Sequence, residues 1–354
     1  MFKLLIINPG STSTKIAVYQ EDQFVFEEVL KHTTEELKNY DTISDQYDFR
    51  KALILKTLQE HAVELSELNL IVARGGLMKP ISSGIYEVDD AMFFDLTIGI
   101  QGQHASNLGG LIARKIADEL GIKAYIADPV VVDELEEIAR ITGVPELRRL
   151  SLFHALNQKA VSRSVAKQLG KSYEECNFVV AHLGGGISVG AHKKGRVIDV
   201  NNALLGDGPF SPERAGAVPT GQLINLCYSG FQKNDIEKKF VGNAGMTAYL
   251  GTSDAIEVNR RIDAGDTFAL LIYEAMAYNV AKEIAAMASV LKGEVDRVII
   301  TGGLAYDPRI VRLISERIGF IAKIVVIPGE EEIKALAEIG LRLLRGEVQS
   351  KVYI

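Results

Sequence analysis

The feature of this sequence that most limits its fold is a repeated strand and turn. The opening stretch "LLIINPGSTSTK" places four apolar residues directly before Asn8, followed by a turn rich in Gly and hydroxyl side chains. The stretch "NFVVAHLGGGISVGAHKKGRVIDV" has the same order, with His182 at the position of Asn8 and Gly184 at that of Gly10. A repeat with so long a period predicts a duplicated α/β domain and not a solenoid.

Residue patterns extend this repeat over both halves of the chain. In the first half they predict strands at 4–8, 15–19, 24–29, 70–73 and 123–127, with helices at 48–64 and 106–120. In the second half, three strands are followed by helices within 220–291, a strand at 297–301, a helix at 308–319, a strand at 323–327 and a final helix. The sequence therefore predicts two βββαβα units whose copies face each other across a cleft.

Three Gly-containing turns follow predicted strands, at Gly10, at residues 184–186 and at Gly302–Gly303. The first is not a P-loop, because Thr14 stands where that motif has a second Gly before its Lys. Backbone N–H groups in such turns and at helix N-termini bind anions, and Gly allows a ligand to approach closely. A single Gly pair after a strand is commonly a plain turn, but three together favour a nucleotide held by its phosphates.

Composition excludes several classes of protein. The 354 residues are enough for about two domains, and a net charge of -7 gives no basic surface for nucleic acid. Two cysteines cannot form a disulfide framework, which fits a reducing cytoplasm. The apolar segment 268–291 contains charged residues, so it is predicted to be a buried helix and not a membrane span. We expect a cytoplasmic protein without a membrane or nucleic-acid partner.

Four polar residues occupy positions at which ligand contact and a structural role are both open. Asp128 closes a predicted strand, where ligands of α/β sheets bind, but it could also cap the turn before a proline. Arg74 follows a strand and precedes two glycines, so it points into a cleft or forms a structural ion pair. His154 lies among apolar residues, as a core histidine would, and Arg214 lies in the loop "GDGPFSPERAGAVPTG". The charge run 330–332 is predicted to form the first turn of the last helix.

The motifs "NPGSTSTK", "FHALNQ", "AHLGGGISVG", "PERAG" and "TGGLAYDP" occur in this order, and together they resemble those of the acetate and butyrate kinase family. The resemblance runs nearly end to end. That family belongs to the acetokinase, sugar kinase and actin superfamily, which implies an α/β fold of duplicated ribonuclease H-like domains facing a central cleft. We accordingly divide the chain into an N-terminal lobe, 1–150 with 329–354, and a nucleotide-binding lobe, 151–328. The forms "NPGSTSTK" and "GDGPFSPERAG" are more similar to butyrate and branched-chain fatty acid kinases than to acetate kinases.

The resemblance also implies roles for individual residues. The nucleotide-binding residues would be Asn8, Ser11, Ser13, Lys15, His182, Gly184, Gly185, Gly186, Gly302 and Gly303. The catalytic residues would be Asp128, His154, Arg214 and Arg74, and the acid would be bound by Arg74 and Phe153. Mg²⁺ would be held by Asn8, Asp128 and Asp307. This chain departs from acetate kinases at two of these positions. Acetate kinases have a glutamate where this chain has Tyr306 beside Asp307, and they have a His beside the Arg that matches Arg74.

The implied reaction is the reversible, Mg²⁺-dependent transfer of the ATP γ-phosphate to a short-chain carboxylate, giving ADP and an acyl phosphate. The partners would thus be ATP or ADP and the carboxylate or acyl phosphate, and a homo-oligomer is expected. One alternative is an acetate or propionate kinase. Another is a non-catalytic ATP switch of the actin or chaperone type, which has this fold but no need of His154 and Arg214.

Overall fold

The structure is a computed structural model that describes residues 1–204 and 206–354. Its contacts divide the chain into two compact units, Met1–Val132 with Glu331–Ile354, and Asp133–Glu330. The division predicted from the sequence gave residues 133–150 to the first lobe. In the structure, Arg149 of this segment forms ion pairs with Asp199 at 2.8 Å and Asp207 at 2.7 Å in the second unit. The first unit therefore ends earlier than the sequence-based boundary.

The strands and helices are as follows. The strands are β1 (Lys3–Pro9), β2 (Ser13–Gln20), β3 (Gln23–Lys31), β4 (Leu70–Arg74), β5 (Ile85–Glu87), β6 (Lys123–Ala127), β7 (Asn177–Leu183), β8 (Ile187–Lys193), β9 (Arg196–Val200), β10 (Arg297–Gly302) and β11 (Ile324–Pro328). The α-helices are α1 (Thr34–Leu37), α2 (Tyr47–Glu60), α3 (Asp90–Ile98), α4 (Asn107–Leu120), α5 (Glu137–Arg140), α6 (Ala155–Gln168), α7 (Thr220–Cys227), α8 (Lys233–Phe240), α9 (Gly245–Leu250), α10 (Ala255–Asp263), α11 (Thr267–Val290), α12 (Pro308–Ile318) and α13 (Glu332–Leu344). Short 3-10 helices lie at Ser44–Gln46, Leu65–Glu67, Tyr173–Glu175 and Gly303–Tyr306.

The first unit is built on a six-stranded sheet with the order β3-β2-β1-β4-β6-β5. Strands β1 to β3 form an antiparallel meander, and β4 and β6 continue the sheet parallel to β1. Gly340 of α13 lies against Val72, whereas Gly110 of α4 lies against Ile126. Val72 and Ile126 point to opposite faces, because Ile126 is paired with the next residue of β4, Ala73. The two helices thus cover both faces, which explains the unbroken apolar run of β1.

The second unit repeats this arrangement in a five-stranded sheet with the order β11-β10-β7-β8-β9. Strands β7 to β9 form an antiparallel meander, and β10 and β11 continue the sheet parallel to β7. Apart from β5, each strand of the first sheet has a counterpart at the same place in the second. The predicted duplication of the α/β fold is confirmed.

Helix α11 shows how the second core is filled. Its Tyr273, Met276 and Val280 are fully buried, at the spacing of one helix face. The apolar segment 268–291 is therefore a core helix, as predicted. No helix among the described residues is long and apolar enough to cross a membrane.

The elements of the first unit that were not predicted from the sequence include strand β5 and helix α3. Strand β5 has three residues and pairs antiparallel with β6 at the sheet edge. Helix α3 begins after Asp89, whose side chain accepts a hydrogen bond from Met92 N at 2.8 Å. Both elements are too short for a hydrophobic period to distinguish them from a loop.

Gly302 provides a test of the second fold unit. Its φ of 91° and ψ of 174° belong to a region that essentially only Gly adopts, and a Cβ atom there would collide with the backbone of Leu183. Gly302→Ala is therefore expected to lower the free energy of unfolding by about 1–3 kcal/mol, measured by urea denaturation. The control is Gly303→Ala, because a Cβ atom on Gly303 would meet nothing within 4 Å. Equal stability of the two variants would contradict the backbone geometry given for Gly302.

Candidate functional site

The carboxyl ends of three parallel strands bring the first group of predicted site residues to one edge of the first sheet. Ile7 is paired with Ala73, and Arg74 with Ala127, so Asn8, Arg74 and Asp128 lie beside one another on neighbouring strands. Ligands of α/β sheets bind at this edge. The structure therefore brings together Asn8, Arg74 and Asp128, which the sequence predicts to act together.

Glu332 joins two of these residues. Asn8 Nδ2 donates a hydrogen bond to Glu332 Oε2 at 2.8 Å, and Arg74 Nη1 lies 3.1 Å from the same oxygen. The Glu332 residue is 3% exposed, although it is the first residue of α13. The prediction that residues 330–332 form the first turn of the last helix is wrong for 330 and 331, because α13 begins at Glu332, and it did not include this buried pair.

The spacing of α13 contains the signal that would have identified Glu332. Its residues at helical spacings of three, four and seven are Ala335, Leu336 and Ile339, and all three are buried. A carboxylate on the apolar face of a helix needs a buried cation or hydrogen-bond donors. Helical periodicity therefore predicts that Glu332, among the three glutamates, points into the unit.

Asp128 is held in an unusual backbone conformation. Its φ is 40°, a region that non-glycine residues occupy rarely, with Asp and Asn among the most tolerant. The residue is buried, and its Oδ1 accepts hydrogen bonds from Ser83 Oγ at 2.6 Å and Gly84 N at 2.9 Å. The carboxylate is thus fixed in orientation at the sheet edge.

The first predicted phosphate turn connects β1 with β2. Gly10 N donates to Ser13 O at 2.8 Å, which closes the turn, and Ser11 is exposed at its tip while Ser13 is half-buried. Lys15 lies further along β2, where its Nζ is 3.5 Å from Glu27 Oε1 on β3. The structure therefore gives Lys15 a partly exposed ion pair on the sheet, whereas Ser11 and Ser13 belong to the turn.

A buried arginine, Arg50 of α2, contacts the same turn and was not identified from the sequence. Its guanidinium donates to the carbonyl oxygens of Gly10 at 2.7 Å, Ser11 at 3.0 Å and Ser13 at 3.1 Å. The sequence around Arg50 has an ordinary helical pattern. The one signal for its burial is that Arg50 lies on the same helix face as the buried residues Ile54 and Leu58.

The predicted metal ligands fit Mg²⁺ unequally. Asn8 and Asp128, two of the predicted ligands, carry oxygen donors near one sheet edge, as does Glu332, which was not predicted. Mg²⁺ is commonly bound by one or two carboxylates together with substrate phosphates. No group of three or more His, Cys, Asp or Glu residues suited to a metal occurs in the described part of the chain. The residues of the first unit therefore fit a Mg²⁺ ion that is held largely by a bound nucleotide.

Asp307 does not fit the metal role predicted for it. It is the N-cap of α12, where Oδ1 accepts from Arg309 N at 2.8 Å. Its Oδ2 accepts from Asn259 Nδ2 at 2.7 Å and from the Tyr273 hydroxyl. Both oxygens are used in structural hydrogen bonds, so we do not carry Asp307 further as a ligand.

The second predicted phosphate turn, residues 184–186, connects β7 with β8. His182 precedes this turn in the sequence and is fully buried, and its Nδ1 forms a hydrogen bond with Asn157 Oδ1 at 2.8 Å. The other ring nitrogen, Nε2, lies 3.2 Å from Glu330 Oε1 but makes no hydrogen bond with any described residue. A Cβ atom on Gly184 would lie 3.1 Å from this nitrogen. A buried polar atom without a hydrogen bond is thus next to the turn, which suits a ligand there.

His154 lies directly against His182. The two rings stack with centroids 3.8 Å apart and an angle of 10° between their planes. His154 Nδ1 forms a hydrogen bond with Ser188 Oγ at 2.8 Å, and Ser188 is the register partner of His182 on β8. His154 is therefore not an isolated core histidine. The residue before it, Phe153, is buried, with 2% of its surface exposed.

Arg214 approaches the same turn from its loop. The Arg214 backbone is tied to Ser211, whose N donates to Arg214 O at 3.0 Å, and the guanidinium donates to Ala203 O. A Cβ atom on Gly186 would collide with that guanidinium. Burial lowers the pKa of Arg214, while the nearby carboxylate of Glu213 opposes that shift. Gly186 thus has a definite role, which is to leave room for a partly buried cation beside the turn.

In the third Gly turn, Gly302 has a structural role, whereas Gly303 has open space beside it. Gly302 N donates to Gly329 O at 3.2 Å, and Gly329 N donates to Gly302 O at 2.9 Å. Gly303 is exposed, and it follows a strand in which Thr301 is the register partner of His182. The turn is therefore beside the 184–186 turn in the sheet, and Gly303 is the residue with space for a ligand.

Comparison with known proteins assigns the chain to a family. A model of the acetokinase family matches residues 144–328. A protein of Clostridium botulinum (strain Alaska E43 / Type E3), named "Probable butyrate kinase", is 53% identical over 353 residues, which are 99% of this chain and 99% of that protein. The chain belongs to the acetokinase family. The family predicted from its motifs is confirmed.

Solved structures agree with this acetokinase assignment at the level of the fold. The acetate kinase of Porphyromonas gingivalis has a TM-score of 0.80 at 20% identity, covering 97% of this chain and 100% of that chain. A propionate kinase from Francisella tularensis subsp. tularensis SCHU S4 has a TM-score of 0.77 at 18% identity, covering 96% and 99%. The duplicated α/β architecture is therefore shared with these kinases.

The buried pair of Arg74 and Glu332 can be tested by a double-mutant cycle. Arg74→Met, Glu332→Leu and the double variant are compared by urea denaturation, and a coupling of about 1–3 kcal/mol is expected because the Glu332 carboxylate is almost fully buried. The control cycle uses Lys123 and Glu87, an exposed pair at 2.7 Å. A coupling no larger than that of the exposed pair would show that Glu332 does not anchor Arg74.

Proposed function

We propose that this chain transfers the γ-phosphate of ATP to butyrate or a branched-chain short acid, giving ADP and an acyl phosphate in a reversible reaction. Membership of the acetokinase family makes the chain a kinase with a carboxyl group as acceptor. The choice of butyrate rests on the 53% identity with the relative named as a probable butyrate kinase. The proposed mechanism rests on the position of the partly buried Arg214 guanidinium, for which Gly186 leaves room beside the 184–186 turn.

The chemistry requires positive charge more than proton transfer. A carboxylate is ionised at neutral pH, so its attack on phosphorus needs no general base. Two unit negative charges about 4 Å apart at an effective dielectric constant near 20 repel each other by about 4 kcal/mol. Removing that repulsion accelerates the reaction by about a thousandfold. The site residues are therefore expected to act by neutralising and positioning the two anions.

Arg214 is the residue that we assign to the transferred phosphoryl group. A planar guanidinium can donate to the incoming carboxylate and to an equatorial phosphoryl oxygen at once. Arg74 is already paired with Glu332, so its charge is partly compensated before any substrate binds. We assign Arg74 to the carboxylate, Phe153 to the apolar wall for the acyl chain, and His154 to the phosphoryl oxygens.

The nucleotide phosphates are assigned to the Gly-rich turns. Asn8, Ser11 and Ser13 supply one turn, and His182 with residues 184–186 and Gly303 supplies the other set. Mg²⁺, when bound, would neutralise charge on the phosphate oxygens. Asn8 and Asp128 would hold it, and the fixed orientation of Asp128 suits that role. The cytoplasmic location and a homo-oligomeric state stay predictions.

The proposed activity can be measured directly. The protein is incubated with ATP, Mg²⁺ and acetate, propionate, butyrate or isobutyrate, and the acyl phosphate is trapped with hydroxylamine as the hydroxamate. The highest kcat/KM is expected with butyrate or isobutyrate. A preference for acetate or propionate would overturn the assigned chain length. Binding of ATP without hydroxamate from any of these acids would instead support the ATP-switch alternative.

The role of Arg214 predicts a specific defect for Arg214→Lys. Lysine keeps the charge but lacks the fork of donors, so kcat should fall by an amount equivalent to about 2–4 kcal/mol, while ATP affinity changes little. Steady-state kinetics and calorimetric titration with an ATP analogue provide the two measurements. Arg196→Lys, an exchange at an exposed residue of β9, is the control and should behave as the wild type. If the main defect of Arg214→Lys were lost ATP binding, Arg214 would be a nucleotide ligand instead.

A further inference from the structure

Arg50 is a buried cation without a carboxylate partner. The residue is 1% exposed, and among residues 1–204 and 206–354 no carboxylate lies within ion-pair distance of its guanidinium. Burial lowers the pKa of Arg50 to about 10, which leaves it positively charged at neutral pH. A buried charge without a counter-ion is costly, so its retention at this place needs an explanation.

The neighbours of the Arg50 guanidinium are neutral oxygen atoms. Besides the three carbonyl groups of the 10–13 turn, it donates to Thr14 Oγ1 at 3.2 Å and Gln46 Oε1 at 2.8 Å. His32 lies in the same place, with Nε2 2.9 Å from Thr14 Oγ1. Burial, with the charge of Arg50, lowers the pKa of His32 to about 4, so His32 is neutral at pH 7. The positive charge behind the turn is therefore that of Arg50 alone.

The contacts of Arg50 decide which way the turn presents its N–H groups. In a planar trans peptide, the C=O and the following N–H point in opposite directions. Because the carbonyl groups of Gly10 and Ser11 point inward to Arg50, the N–H groups of Ser11 and Thr12 point away from it. Both residues are exposed, and within the described chain neither N–H donates to a protein group. Two amide donors are thus directed outward by a cation behind them.

We propose that Arg50 is a positioning residue for the nucleotide phosphates, which holds the carbonyl groups of the 10–13 turn inward so that the amides of Ser11 and Thr12 bind a phosphate group. The phosphate supplies the negative charge that Arg50 lacks within the protein, and the low dielectric of the interior strengthens this attraction across the turn. The inference rests on the proposed function for the identity of the anion. It adds a residue that touches no substrate atom and acts through the turn.

Calorimetric titrations of full-length variants can separate this role from a purely structural one. The probes are a non-hydrolysable ATP analogue and adenosine, which carries no phosphate. Arg50→Gln removes the charge and the fork, and Arg50→Lys keeps the charge with fewer donors. The control is Ile54→Val, since Ile54 is fully buried on the same helix, one turn further on. Melting temperatures are recorded for every variant.

The proposal predicts that Arg50→Gln binds the ATP analogue at least about tenfold more weakly, with adenosine binding unchanged. Arg50→Lys should recover part of the loss, and Ile54→Val should match the wild type with both probes. Equal binding of the analogue by wild type and Arg50→Gln would overturn the proposal. So would an equal loss for analogue and adenosine, or failure of both Arg50 variants to fold while Ile54→Val folds.

These titrations are independent of the carboxylate. If the wild type forms no hydroxamate but Arg50→Gln still loses the analogue selectively, the proposed reaction is wrong and the role of Arg50 stands. If hydroxamate forms and the variants bind alike, the role of Arg50 is wrong and the proposed reaction stands.

Discussion

The rest of this structure depends on the register in which the parallel strands pair with the first strand of each meander, β1 in one unit and β7 in the other. In the first unit, β4 and β6 continue the sheet beside β1, and in the second, β10 and β11 do so beside β7. Apart from the partly exposed β11, these strands are apolar where they are buried, so polar side chains are expected where the strands end. Asn8, Arg74 and Asp128 follow from that rule in one unit, and His182 and Thr301 in the other.

The charges of Arg74, Arg50 and Arg214 are compensated in different ways. Arg74 is paired with Glu332, which compensates part of its charge. Arg50 and Arg214 donate to backbone carbonyl groups and have no carboxylate within ion-pair distance among the described residues. A cation held by neutral oxygens keeps its attraction for an incoming anion, whereas a cation in an ion pair attracts that anion less strongly. Arg50 and Arg214 therefore keep more of their attraction for an anion than Arg74, whose charge is partly compensated by Glu332.

Most of the fold was predictable, because long strands and helices with clear periodicity fix the duplicated architecture. The segments 70–73, 106–120, 123–127 and 297–301 differ from the observed elements by no more than one residue at either end. Strand β5 and helix α3 were missed because they depend on edge pairing and one cap, and helix α6 (Ala155–Gln168) was also not predicted. The boundary between the units was also misplaced, because the ion pairs of Arg149 are made with residues distant in sequence.

The candidate site was predictable where a residue ends a strand or lies in a Gly-rich turn. Glu332 and Arg50 were missed because their partners lie far away in the sequence, although helical spacing places each on a buried face. The family resemblance implied a metal role for Asp307, whereas the Asp-Pro pair at a helix start is a typical N-cap and first-turn combination. Local capping chemistry was the better guide at that position.

The most direct test of the proposed site is a crystal structure of the full-length protein with ADP, Mg²⁺ and butyrate. We expect phosphate oxygens to contact the amides of the 10–13 turn and the 184–186 turn, and the Arg214 guanidinium to contact the carboxylate of butyrate. A complex in which the phosphates touch neither turn, or in which butyrate binds away from Arg214, would contradict the proposed site.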